Sequence, residues 1–373
     1  MRARFWFPFA LLSSSALFSF TLSGLAQQAP TGQSAPSAQV PAATSYSVDH
    51  RISLDVVVTD KGGNAVAGLQ QQDFTLLDDK QPRAITSFHA SGGTSEAADP
   101  ATQVILLIDA VNSSVLSVQY AEGELKKFLR QDGGRLQVPI SVVIFTDQST
   151  QVQPAATRDG NSLANLLDSN QPGLRLSSRS QGSIGAAERL QLSIRTLEEL
   201  TGHEQQQPGR KLLIWISPGW PLFNGPTVHA TITAQEMYFH TVVMLSQGLR
   251  EARMSLYNVD PLGMADAAGL RTFYYKSFLK GVTSVKKVDS GNLALQVLAV
   301  QSGGQVLNSS NDIGSLVAKC LADAKAFYTL SFDSPPADHP NEYHDLDVKI
   351  DKPGLTARTR TGYYAQPHKD SGR

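Results

Sequence analysis

Residues 104–109, with the sequence VILLID, are the strongest indication of the fold. Their five consecutive apolar residues have the length of one strand and end in a carboxylate, Asp109. Three further apolar runs of strand length follow at 140–145, 212–216 and 254–259. A strand that is apolar on both faces is typical of a parallel sheet covered on both sides, so the four runs predict the strands of an α/β domain.

The segments between these runs have the period of amphipathic helices. Residues 118–129 place apolar side chains on one helical face, and residues 187–197 do the same. Helices that alternate with buried strands indicate a mainly parallel sheet with helices on both faces. We therefore predict an α/β domain over residues 100–324.

The segments before and after this domain alternate between apolar and polar residues, which is typical of antiparallel strands. Residues 46–92 contain short strand-like runs separated by Gly, Asn and Asp turns, and residues 325–365 contain further runs punctuated by proline. Each segment alone is near the lower limit of about three strands for independent stability. We expect the two segments to pair in one antiparallel β-sandwich, with the α/β domain inserted between them.

The amino terminus has the pattern of a secretory signal peptide. Two arginines precede an interrupted apolar run, and small residues follow up to Ala26, where we expect cleavage. Export to the periplasm, the cell envelope or the medium would follow, with no membrane span left after cleavage; a retained amino-terminal anchor is the alternative. Residues 27–45, rich in Pro, Ala, Gln and Ser, predict a flexible linker, and residues 366–373 a disordered tail.

Charge and cysteine content exclude several classes of function. The 373 residues include 32 Lys and Arg and 33 Asp and Glu, which gives a formal net charge of -1. Because a polyanion-binding chain is normally basic, we expect no nucleic-acid partner. The single cysteine, Cys320, excludes an intrachain disulfide and a Cys-rich zinc site. It shares a helical face with Ile313, Leu316 and Val317, so we expect it in the core.

The strand ends are where such a sheet would bind a ligand, because the crevice lies outside the carboxyl ends of its strands. Asp109 and Ser113 offer oxygen ligands that suit Mg²⁺, so they are the metal candidates. Asn112, Ser217 and Trp220 are the candidates for contacting a bound partner. In the alternative interpretation, Asp109 holds its loop through backbone N–H groups, and Asn112, Ser113 or Ser114 caps the next helix. Trp220 then packs against the domain itself.

Several segments together resemble a known family. They are Leu54–Gly63, Gln72–Asp79, Leu106–Asp109, Trp215–Gly219, Tyr257–Pro261, Leu298–Gly304 and Arg360–Tyr364. Residues 104–310 resemble a von Willebrand factor type A domain, and the chain after the signal peptide resembles the VWFA-related domain family found chiefly in Acidobacteria. The resemblance implies a Rossmann-like sheet that binds protein ligands. In active members, it implies a cation held by an Asp-x-Ser-x-Ser loop, a Thr from a second loop and an Asp from a third.

The chain matches that implied metal site only in part. Asp109 and Ser113 stand at the first and fifth positions of the first loop, but Val111 replaces its middle Ser. Ser217 stands where the third-loop Asp is expected, and Ser183 is the hydroxyl in the region of the Thr. One carboxylate fewer weakens the attraction for a divalent ion. We expect weak Mg²⁺ binding at most and no other cofactor.

Catalytic motifs give no support to an enzyme. The sequence has no Gly-x-Ser-x-Gly elbow, no phosphate-binding loop and no His-Glu-x-x-His helix, so we expect no catalytic residues. Residues 338–345 are predicted to form a polar hairpin loop between two strands. Zinc ligation by His339, Glu342 and His344 is the alternative. We predict an exported, non-enzymatic adhesion or binding module for an unknown, extracytoplasmic protein ligand. The alternatives are an envelope structural protein and a secreted hydrolase or metal enzyme.

Overall fold

The computed structural model describes residues 50–91, 101–147, 150–153, 155–169, 182–221, 230–262 and 274–367. All of them belong to one compact unit, Val48–Arg373. The predicted signal peptide and linker lie outside the described residues. No helix within the described ranges is long and apolar enough to cross a membrane.

The strands and helices of the described residues are as follows. The strands are β1 Arg51–Thr59, β2 Phe74–Asp78, β3 Gln81–Arg83, β4 Ser87–Ser91, β5 Gln103–Asp109, β6 Arg135–Phe145, β7 Thr150–Val152, β8 Thr157–Asp159, β9 Lys211–Ile216, β10 Met254–Val259, β11 Val306–Leu307, β12 Phe327–Asp333, β13 Glu342–Ile350, β14 Thr356–Arg358 and β15 Gly362–Ala365. The α-helices are α1 Val115–Leu129, α2 Gly160–Ser169, α3 Gly182–Glu204, α4 Ile232–Glu251, α5 Leu295–Gln301 and α6 Ile313–Ala322.

The four apolar runs are neighbouring strands of one parallel sheet, as predicted. Its order among the described residues is β11-β10-β9-β5-β6-β7, parallel from β11 to β6, with β7 and β8 both antiparallel to β6. Side chains 104, 106 and 108 of β5 pack into a core with α1, α2 and α6. Side chains 105 and 107 pack on the other face with α3, α4 and α5. Both faces of the sheet are therefore covered.

The position of the crevice follows from this strand order. The chain goes from β5 to β6 on one side and then returns to β9 on the other side of β5. Such a reversal leaves a crevice at the carboxyl ends of the two strands that flank it. Asp109 ends β5 and Ser217 follows β9, so both lie at this point.

The segments before and after the α/β domain form an antiparallel sandwich, as predicted. One sheet has the order β14-β1-β12-β4, and the other has the order β15-β13-β2-β3, so each combines strands from both ends of the described chain. Leu54, Leu330 and Phe332 from the first sheet share a core with Leu76 and Val348 from the second. The α/β domain is an insertion between the two parts of the sandwich.

Ion pairs connect the sandwich to the α/β domain. Arg253, just before β10, places Nη2 2.6 Å from Oδ1 of Asp55 on β1. Arg358 of β14 pairs with Asp323, which follows α6. Tyr257 of β10 donates to Oδ2 of the same Asp323 at 2.8 Å. These contacts fix both domains through largely buried charges.

Candidate functional site at the strand ends

Asp109 is completely buried at the end of β5, and its carboxylate is fully used by the surrounding chain. Its Oδ1 accepts the backbone N–H groups of Val111 at 2.9 Å and Asn112 at 2.8 Å. Its Oδ2 accepts Nδ2 of Asn112 at 2.8 Å and Nε1 of Trp215 at 2.9 Å. Because a carboxylate has about four acceptor positions, an ion could bind here only by displacing one of these donors.

The electrostatics of Asp109 agree with an anchoring role. Burial raises the pKa of its carboxyl group, and hydrogen bonds from Asn112, Trp215 and Ser217 oppose that rise. All of these donors are neutral, and no Lys, Arg or His of the described residues forms an ion pair with this carboxylate. The carboxylate therefore depends on fixed dipoles, which hold the loop after β5 against the end of β9.

Asn112 extends this network to a helix. Its Nδ2 also donates to Oγ of Ser193 on α3 at 2.9 Å, and Ser193 donates to the backbone oxygen of Arg189 at 2.8 Å. Oδ1 of Asn112 and Oγ of Ser113 are buried without a hydrogen-bond partner in the described chain. The structure thus brings Asp109 and Asn112 into direct contact and places Ser113 beside them with its hydroxyl unpaired.

Ser217 and Trp220 are both buried, which limits what a partner can touch. Oγ of Ser217 accepts the N–H of Gly219 at 3.1 Å, within a turn where Gly219 has a φ of +110°. Trp220 is 3% exposed and packs edge-on against Trp215, with 5.4 Å between ring centroids. Of the two interpretations of Trp220, the structure shows the internal cap. The apolar indole gains more from this packing than from exposure.

Two residues of this network were missed by sequence reasoning. Trp215 lies within an apolar run, where its indole N–H gives no separate signal of a bond to the neighbouring strand. Ser193 was detectable, because it lies between Leu190 and Leu197 on the inward face of α3.

Ser183, the hydroxyl in the region expected for the metal-site Thr, is exposed in the first turn of α3.

Three large aliphatic side chains are exposed at the same edge of the sheet. Leu116 is 77% exposed, Ile184 68% and Ile232 73%. They lie in the first turns of α1, α3 and α4. Since α1 and α4 follow β5 and β9, and α3 runs back to the start of β9, all three helices begin at the carboxyl edge of the sheet. We call Leu116, Ile184 and Ile232 the apolar rim.

His339, Glu342 and His344, the alternative zinc ligands near the carboxyl terminus, do not come together in the structure. His339 is exposed, and Glu342 accepts the N–H of Asp338 at 2.6 Å. His344 is buried on β13 and meets Asp78 and Asp79 instead. Alternation along a strand is the reason, because His344 points into the sandwich while the loop that carries His339 stays in solvent.

Three solved structures illustrate the similarity to known proteins. They are an aerotolerance-related membrane protein from Bacteroides fragilis NCTC 9343 with multiple mutations to serines (13% identity, 60% of this chain, 100% of that chain, TM-score 0.33), the VWA domain of SpRpn10 (10% identity, 60% and 97%, TM-score 0.28) and the pilus adhesin SpaC from Lactobacillus rhamnosus GG (9% identity, 81% and 43%, TM-score 0.32). No protein-family model and no curated protein matches the chain. At such low identities and TM-scores, these similarities carry no argument about function.

Proposed function

We propose that this protein is an exported, non-enzymatic interaction module that binds a protein partner at the carboxyl edge of its α/β sheet. The apolar rim is the observation that supports this proposal. Leaving a Leu or Ile side chain in water instead of burying it forgoes roughly 1.5–3 kcal/mol. Exposed aliphatic side chains at one edge, on the first turns of three helices, are typical of a contact surface.

The buried network beneath the rim supports the same proposal. Asp109 and Asn112 hold the loop that leads into α1, and Asn112 ties that loop to Ser193 on α3. Two of the three rim helices are thereby fixed before a partner arrives. A preordered surface loses less conformational entropy on binding, which favours affinity.

The hydrogen bonds at the strand ends also favour binding over catalysis. The hydroxyl of Ser193 is hydrogen-bonded to Asn112 and to a backbone oxygen, and the acceptor positions of Asp109 are taken. A nucleophile or general base needs a free position directed at a substrate. We therefore propose a contact made by side chains and backbone without a bridging cation, with weak Mg²⁺ binding at Asp109 and Ser113 at most.

The experiment is a crosslinking pull-down from envelope extracts with the chain that follows residue 26. A variant with Leu116→Ser, Ile184→Ser and Ile232→Ser should lose its partner, with affinity about tenfold weaker or more, because tenfold corresponds to only 1.4 kcal/mol. A control variant, Gln205→Ser with Gln206→Ser, changes exposed polar residues just after α3, at the opposite edge of the sheet, and should keep the partner.

Two outcomes would contradict the proposal. If the rim variant and the control capture the partner equally well, the apolar rim is not part of the binding surface. If a chelator abolishes capture, binding requires a cation. Sedimentation of the same chain at several concentrations tests the envelope-assembly alternative, because self-association without another partner would favour that function.

A further inference from the structure

A second polar cluster lies in the β-sandwich, on the sheet β15-β13-β2-β3. It consists of Asp78, Asp79 and His344, which we call the sandwich triad. Nδ1 of His344 is 3.0 Å from Oδ1 of Asp78 and 3.1 Å from Oδ2 of Asp79. One potential ligand atom from each residue lies within 4.8 Å of the other two. An imidazole nitrogen thus faces two carboxylate oxygens at once.

The backbone holds these three residues in place. Asp78 ends β2 and pairs with Gln81 across a hairpin turn, in which Asp79 and Lys80 have φ values of +49° and +67°. Asp79 donates its N–H to the carbonyl oxygen of Asp345 at 2.8 Å. Its Oδ1 accepts the N–H of Asp345 at 2.9 Å, which leaves Oδ2 directed at His344. The turn is therefore locked to β13 next to the histidine.

Outer contacts orient the two buried members. Oδ2 of Asp78 accepts the hydroxyl of Tyr363 at 3.2 Å and Nε of Arg83 at 3.3 Å, so its Oδ1 is the oxygen that faces His344. The His344 ring stacks on Tyr363, with 5.0 Å between centroids and 17° between planes. Nε2 of His344 has no hydrogen-bond partner among the described residues. The ring is thus positioned by stacking and by the contacts of Nδ1.

Burial is graded across the triad. The side chain of Asp78 is 0% exposed and that of His344 8%, whereas that of Asp79 is 53% exposed. Two members are thus fixed within the protein and the third lies at the surface. Asp79 is therefore the member of the triad through which the cluster meets solvent.

We propose that Asp78, Asp79 and His344 bind a divalent transition-metal ion of the Zn²⁺ class, through Nδ1 of His344 and one oxygen from each aspartate. These are ligand types that Zn²⁺ uses, and three protein ligands leave one position for water. Bonds of about 2.0–2.1 Å at tetrahedral angles separate ligand atoms by roughly 3.4 Å. The observed 3.0 and 3.1 Å separations need to widen only slightly. Ca²⁺ fits poorly, because it takes six to eight oxygen ligands.

A proton competes with the metal for the same nitrogen. The hydrogen bond to Asp78, with the charges of Asp78, Asp79 and Glu342, raises the pKa of His344, although burial opposes this. Metal binding requires the unprotonated Nδ1, so binding releases a proton and weakens as the pH falls. Tyr363 and Arg83 also face this cluster, and both donate hydrogen bonds to Oδ2 of Asp78.

The test is calorimetric titration of the chain that follows residue 26 with Zn²⁺ at pH 7.5, repeated at pH 6. Asp79→Asn is the main variant, because Asn tolerates a positive φ and still offers an oxygen to the N–H of Asp345 while losing the carboxylate. His344→Asn removes the nitrogen donor directed at both aspartates. His339→Asn is the matched control, because it removes an exposed histidine a few residues before His344 in the chain.

The expected result is about one Zn²⁺ per chain, bound at least tenfold more weakly by Asp79→Asn and by His344→Asn, and equally well by His339→Asn. Binding should weaken at pH 6 and release protons to the buffer. Absence of Zn²⁺ binding, or unchanged affinity in Asp79→Asn, would overturn the proposal and leave the triad as an ion pair centred on a protonated histidine. The result does not depend on the apolar rim, so either proposal can fail alone.

Discussion

Asp109 and Asp78 are both fully buried aspartates at the ends of strands, yet their surroundings differ. Asp109 accepts hydrogen bonds from neutral donors of its own loop and of the neighbouring strand β9. Asp78 contacts the side chains of His344 and Arg83, which can carry charge. The comparison shows that the partners of a buried carboxylate decide its role. A carboxylate that accepts hydrogen bonds from neutral donors holds the surrounding chain in place. A carboxylate beside a titratable side chain has contacts that change with pH and with bound cations.

The two layer architectures explain the difference. Asp109 ends a central strand of a sheet with helices on both faces, so the surrounding chain supplies all its donors. Asp78 ends a strand of a two-sheet sandwich, next to a turn in which Asp79 reaches solvent. Substitutions at Asp109 should therefore mainly lower the free energy of unfolding. Substitutions in the sandwich triad should mainly change how stability depends on pH and how well a metal ion binds.

The largest expected effect is that of Asp109→Ala. It leaves several buried N–H groups without an acceptor, so the free energy of unfolding should fall by roughly 3 kcal/mol or more, as measured by urea denaturation. Asp147→Ala is the matched control, since Asp147 is a partly buried aspartate shortly after β6. Its effect should stay within about 0.5 kcal/mol. Similar losses in both variants would contradict the anchoring role.

Asp78→Ala should cost less, about 1–3 kcal/mol in the same measurement. Arg83 is 33% exposed and can turn to water, and His344 can lose its proton, so neither must remain a buried unpaired charge. A loss larger than that of Asp109→Ala would invert the comparison between the two aspartates.

The pH dependence of stability should come from the sandwich triad. The pKa of His344 in the folded chain lies above its ordinary value of 6.5. The stabilisation is therefore fully present below pH 6.5 and is lost as the pH rises through the folded pKa. With a chelator present, the urea midpoint of the wild type should fall over that window more than that of His344→Gln. If the urea midpoints of the wild type and His344→Gln change equally with pH, His344 is not the source of the pH dependence.

The smallest expected effect is the difference in stability between variants of two buried tryptophans, Trp215 and Trp220. Trp215→Phe removes one donor to Asp109 and should cost about 1 kcal/mol, whereas Trp220→Phe removes an N–H that has no partner in the described chain and should cost less. The effect of Trp215→Phe should shrink when Asp109→Asn is already present, because the two residues share one bond. Full additivity would show that the indole does not support the carboxylate.

Much of the fold was predictable because hydrophobic pattern alone determines it. The run 104–108 and its three counterparts carry apolar side chains on both faces, and a sheet covered by helices on both faces buries them. The flanking segments alternate between apolar and polar residues, which is typical of antiparallel strands. Neither segment has enough strands to be stable alone, so their pairing in one sandwich was predictable. The strand-end position of Asp109 also followed, because it comes directly after its apolar run.

The contacts within the two clusters could not be predicted in the same way. His344 was grouped with His339 and Glu342 because they are near in sequence, but the strand register of the sandwich places it beside Asp78, 266 residues away. Trp215 reaches Asp109 from the neighbouring strand, 106 residues away. Pairings at such separations depend on strand register and side-chain direction, which no local pattern specifies.

Hydrophobic pattern specifies the layers of this protein and the strand end that carries Asp109, because burial of apolar runs has few solutions. The partners of each buried carboxylate depend instead on tertiary packing. It surrounded Asp109 with neutral donors, and it brought His344 between Asp78 and Asp79. It also placed Leu116, Ile184 and Ile232 at one edge, because helix direction relative to the sheet is a property of the assembled domain.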